Sequence, residues 1–139
     1  MSIEKDHIEQ TESFDAKFFF WRRIHRASSL VIAIVSLLHC ALTFVLYSAW
    51  NPESVWFLGT GLGLLLLGIT NIAHVGIQPC RQPTAPVVRI ANWIYFLFGV
   101  GAVIAVPEPQ AFLILAGLFG QAVAGQNTLT GRAGSTPQA

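Results

Sequence analysis

Long apolar runs, almost free of charge, constrain this chain more than any other feature. Four of them follow one another, at 28–47, 55–75, 87–106 and 111–124, and the only Asp, Glu, Lys or Arg within them is Arg89. An α-helix of roughly 20 residues, rising about 1.5 Å per residue, covers the roughly 30 Å of hydrocarbon in a bilayer, and the first three runs have that length. The fourth is shorter and richer in Gly and Ala, and spans only if its helix continues through Gln126 and Asn127. Composition agrees: 53% of the residues are apolar and 11% charged, against about 25% charged in an average soluble domain.

The predicted fold is therefore all-α. It is a polytopic membrane protein of four transmembrane helices in two antiparallel hairpins, at about 20–49, 53–76, 86–106 and 109–128 within a bundle covering 18–130. Residues 1–17 are polar and net acidic and are expected to form a mobile tail, turning helical near Asp15. Residues 131–139 are expected to be a disordered tail.

The connections mark helix starts. Asn51-Pro52-Glu53 and Pro107-Glu108-Pro109 each read as a tight turn into a helix. Proline suits the first helical position, where its missing N–H costs nothing, and a following Glu favours the positive end of the helix dipole. Asn51 is a good N-cap. Phe57 and Phe112 follow the two Pro-Glu pairs at the same spacing, as a duplicated two-helix unit would give. The middle connection, Gly76 to Pro86, holds Pro79 and Pro83 as well and cannot be helical throughout.

Orientation follows from the basic residues. Lys5, Lys17, Arg22, Arg23, Arg26, Arg81, Arg89 and Arg132 lie in the N-terminal region, at the middle connection or in the C-terminal tail, and the two Pro-Glu turns have none. The positive-inside rule then places both termini and the middle connection in the cytoplasm, with a bacterial cytoplasmic membrane as the expected location. Phe18 to Trp21 on one side, and Tyr47, Trp50 and Trp56 on the other, suit the aromatic belts of the two interfaces. No cleavable signal peptide is expected, because the chain opens on Glu4, Lys5 and Asp6. A net charge of +1 argues against a nucleic-acid partner, which needs a concentrated basic face.

The first helix carries a polar stripe. His25, Ser29, Ser36, Cys40, Thr43 and Tyr47 recur at intervals of three, four or seven, with His39 at the edge near mid-bilayer. Polar groups are costly in lipid, so the stripe is expected to face the other helices. Expected inward faces there are Gly59, Gly63, Thr70 and His74 with Asn71 adjacent, then Arg89, Asn92, Phe96 and Gly99, then Gly117, Gln121 and Ala124. His39, Ser36, Thr43 and Gln121 form the candidate polar pocket, with His39 its deepest member and Gln121 its nearest partner by depth. Small residues spaced by four, as at Gly59/Gly63 and Ala116/Gly120, let helices approach closely, within the chain or in self-association.

Two histidines at one depth could hold a haem. His25 and His74 satisfy that condition, whereas His39 lies roughly 15 Å away from His74 along the membrane normal. His25 sits among Arg22, Arg23 and Arg26, which reads first as an interfacial anchor able to meet anionic lipid headgroups. Cys40 in a span and Cys80 in a loop are not expected to pair. There is no zinc spacing, phosphate-binding loop or nucleophile motif, so no catalytic residue, metal site or cofactor is assigned. No Asp or Glu lies inside any span, which weakens ion-coupled transport.

These features predict a small non-enzymatic membrane protein whose surroundings are the lipid bilayer. It would be an accessory subunit of a larger membrane complex or the binder of a small apolar ligand within the bundle. The alternatives are a small oligomeric transporter or channel, and a haem-b electron carrier ligated by His25 and His74.

Overall fold

The computed structural model describes the backbone of residues 2–76 and 84–129, and the side chains of 16–76 and 84–128. The expectations for the C-terminal tail, Cys80, Arg81 and Arg132 fall outside these residues. The chain forms four helices, α1 (Ser2–Leu46), α2 (Pro52–Gly76), α3 (Ala85–Ala105) and α4 (Pro109–Leu129). Three segments are long and apolar enough to cross a membrane: Ala16–Leu46, Pro52–Gly76 and Ala85–Ala105. α4 matches α3 at 21 residues but carries Gln110, Gln121, Gln126 and Asn127.

α1 starts far earlier than its apolar run, at Ser2 rather than near residue 20. No Gly or Pro occurs before Pro52. The polar segment holds Glu4, Lys5, Glu9, Gln10, Glu12, Ala16 and Lys17, residue types that favour helix without needing an apolar face. α1 ends at Leu46, short of the expected 49, with Tyr47 N–H still donating to Thr43 O at 3.1 Å.

α2 begins with the expected cap, and the cap is reciprocal. Ser54 N–H donates to Asn51 Oδ1 at 2.8 Å, and Asn51 N–H donates to Ser54 Oγ at 3.0 Å. This is the geometry of a capping box with Ser in the returning position. The second Pro-Glu turn is built differently. Pro109, not Pro107, is the first residue of α4, and Glu108 O accepts from Ala111 N–H at 2.9 Å. Pro52 and Pro107 are therefore not equivalent, which removes the main support for a duplicated hairpin.

α1 packs against α2 and α4, α3 packs against α4, and α2 meets α3 more sparingly. Ile32, Leu64, Leu67 and Leu118 form the apolar centre, flanked by Ala91, Tyr95, Phe96 and Ile114. Glycines let the helices close on it. A Cβ on Gly68 would meet Ala33 N at 3.0 Å and Ser29 O at 3.1 Å, so α1 and α2 touch backbone to backbone there. On α4, Gly117 accommodates Ile32 and Gly120 accommodates Ser28.

Polarity is distributed inside out. Ile34, Leu37, Leu38, Leu66, Ile94, Leu97 and Phe98 are exposed, while His25, Ser29, Ser36, Asn71, Asn92 and Gln121 are fully buried. Soluble monomers do not present so continuous an apolar exterior. The stripe of α1 does face inward. α2, however, is rotated from its expected orientation. Its buried face is Ser54, Gly61, Leu64, Leu67, Gly68, Asn71 and Val75, whereas Gly59 and Thr70 are exposed. Thr70 tolerates this because its hydroxyl donates to Leu66 O, one turn back, at 2.7 Å. A hydroxyl satisfied by its own helix no longer has to point at a neighbour.

Candidate functional site: a polar ring across four helices

The expected pocket does not form as a unit. Ser36 Oγ donates to Ile32 O at 2.6 Å and Thr43 Oγ1 to His39 O at 3.3 Å. Ser29 does the same to His25 O at 2.7 Å. These hydroxyls serve α1 itself, and their small size lets other helices approach. His39 is half-buried, stacks on Phe57 with ring centroids 3.7 Å apart, and donates from Nε2 to Phe57 O at 3.2 Å. Its partner is thus a carbonyl of α2, not Gln121. The Gln121 side chain is fully buried, and neither Oε1 nor Nε2 has a hydrogen-bond partner among the described residues.

The polar centre lies instead toward the end that carries Arg22, Arg23 and Arg26. His25 of α1 has zero exposure. Its Nε2 lies 2.7 Å from Asn71 Oδ1 on α2, and its Nδ1 lies 2.8 Å from Thr128 Oγ1 on α4. Asn71 and Asn92 exchange two amide hydrogen bonds, at 2.8 and 2.9 Å, joining α2 to α3. Asn92 Nδ2 also reaches Gln121 O on α4, at 3.4 Å. The contacts close a ring through all four helices, α1 to α2 to α3 to α4 and back to α1.

The donors can be assigned from the partners. Leu67 O, a pure acceptor, lies 2.9 Å from the Asn71 amide, so the group facing it is the NH2. Asn71 Oδ1 therefore faces His25, and His25 Nε2 carries a proton. The other ring nitrogen has a partner of either character. Thr128 Oγ1 lies between His25 Nδ1 and Ala124 O, the latter at 2.9 Å. With a neutral ring the hydroxyl donates to Nδ1. With a protonated ring it accepts from Nδ1–H and donates to Ala124 O. The site holds either form of His25 without orphaning a polar group.

His74 is not in this ring. Its Nδ1 lies 2.9 Å from Thr70 O and its Nε2 2.9 Å from Thr84 Oγ1, a bond joining the ends of α2 and α3. Every nitrogen of His25 and His74 is engaged within the chain, so ligating a haem between them would break a bond on each ring. Cys40 is a buried free thiol, and a Cβ on Gly61 would meet its Sγ at 2.7 Å.

Thr128 gave no sequence signal, being one Thr near the end of an apolar helix. The two asparagines did. Asn71 lies five residues before the end of α2 and Asn92 seven after the start of α3. The two helices flank one connection, so the amides are level to within about one helical turn.

No family model, curated protein or solved structure matches this chain.

Proposed function

We propose that this chain is a non-enzymatic integral membrane protein of four spans, with both termini and the 77–83 connection on the cytoplasmic side, serving as an accessory subunit of a larger membrane complex. One observation carries the reading: the buried polar ring is bonded within the chain while the exterior is apolar. A ring whose members hold one another is a fastening between helices, not a lined path for a solute. α4 spans in this reading because α1 and α3 flank it, so Gln121 and Thr128 are turned away from lipid. The segregation of basic residues supports the orientation. No carboxylate in the spans stands ready to relay a proton to or from His25.

Two measurements test this. In a background with Cys40 and Cys80 replaced by Ala, Glu53→Cys should react with an impermeant thiol reagent in intact cells, and Ala16→Cys only after lysis. Both positions are exposed. The reverse pattern would overturn the orientation. Purified from its native membrane in mild detergent, the chain should elute with a larger membrane protein. Elution alone, together with solute flux when reconstituted in vesicles, would favour the transporter reading.

A further inference from the structure

The arginines of α1 border a second feature that the polar ring does not use. α1 continues past the end of α2, so its flank at residues 19–26 stands beside the last turn of α2. A groove of about 390 Å³ opens between them. Arg22, Arg23 and Arg26 line one side, and Phe19, Ile72 and Val75 supply an apolar wall. The negative pole of the α2 dipole ends here. Arg22 covers it, donating from Nη2 to Val75 O at 3.0 Å. That bond leaves the exposed guanidinium groups of Arg23 and Arg26 without a carboxylate near them among the described side chains. Among the described side chains the carboxylates are Glu53 and Glu108, both at the opposite end of the bundle.

We infer that this groove binds the phosphate headgroup of an anionic glycerophospholipid. Guanidinium groups match a phosphate with paired, planar donors. The apolar wall matches the other half of such a molecule. The groove lies where the charged part of α1 gives way to its apolar run at Ala27, so a phosphate held there would direct its acyl chains along the exposed apolar flank. Free phosphate would have no use for Phe19, Ile72 and Val75. The inference rests on the membrane-spanning reading, not on the accessory role.

The test uses the full chain in uncharged detergent, given equal amounts of phosphatidylglycerol and phosphatidylcholine with identical acyl chains. Native mass spectrometry then reads which lipid stays bound. The parent should retain phosphatidylglycerol about thirtyfold over phosphatidylcholine, the scale expected when two arginines are each worth about 1 kcal/mol toward an anionic headgroup. Arg23→Gln with Arg26→Gln should abolish the preference and leave helicity unchanged, since neither residue caps α2. Arg23→Lys with Arg26→Lys keeps the charge and should keep most of the preference, because both lipids carry a phosphate and differ in net charge. This second pair carries the test if the first folds poorly. Lys17→Gln, outside the groove, should change nothing. Loss of the preference in the lysine pair, an equal loss in Lys17→Gln, or complete displacement by millimolar inorganic phosphate would each overturn the inference. Retention of neither lipid would count against the membrane reading itself.

Discussion

His25 and His39 lie on the same helix, and the two halves of the bundle treat them differently. His25 is sealed inside and bonded to side chains from two other helices. His39 is half-buried, bonded to one backbone carbonyl and covered on one face by Phe57. The lesson is that depth in a span does not rank a polar residue. His39 is nearer the middle of the apolar run, yet His25 has the partners. A side chain whose partners are themselves side chains depends on the positions of several helices at once. One that bonds a carbonyl depends on a single neighbour.

That contrast can be broken at graded cost. The largest effect is expected at Asn71→Leu, which strips His25 Nε2 and Asn92 Oδ1 of their partners together. It should lower unfolding stability in detergent by about 2–3 kcal/mol, the scale of leaving buried groups unsatisfied. A change under about 0.5 kcal/mol would mean the ring is not a fastening. Next comes Gly68→Ala, at about 1–2 kcal/mol, because its Cβ would press on backbone atoms of α1 that cannot step aside. Gly63→Ala meets only the hydroxyl end of Tyr95, which can swing away, so it should cost less. Equal costs would show that α1 and α2 do not depend on that close approach.

His39→Leu should cost less than about 1 kcal/mol, since it removes one bond and keeps an apolar surface for Phe57. A loss as large as that of Asn71→Leu would place a second polar centre in the opposite half. Smallest is Gln121→Leu, expected to be neutral or slightly stabilising, because it removes a buried amide that has no partner among the described residues. Thermal melts of the four variants and Gly63→Ala, run side by side, give the order.

The legible parts of this protein were those set by local rules. Asn51 and Pro52 mark the start of α2 because capping and a missing N–H act within one turn. Apolar run length identified three segments able to cross a membrane, because a bilayer imposes its thickness on each helix separately. The inward stripe of α1 was visible too, since His25, Ser29, Ser36, Cys40 and Thr43 share a spacing that a helix turns into a face. The same reasoning misplaced the start of α1, because apolar periodicity registers burial and not helix formation.

What only the tertiary structure decided was pairing and rotation. Thr70 looked like an inward residue and faces out, because its hydroxyl is satisfied by its own backbone. Asn71, one position further on, faces in because its amide has more hydrogen-bonding capacity than one helix can fill. Ser36, Thr43, His39 and Gln121 share a polarity that suggested one pocket, yet no hydrogen bond links the side chain of one to the side chain of another. Helical spacing says which residues share a face. Which face meets which is set by where glycines let backbones close, as Gly68 does against Ala33, and by which amide finds its complement across the gap. Both depend on four helices at once, and a linear pattern holds information about one.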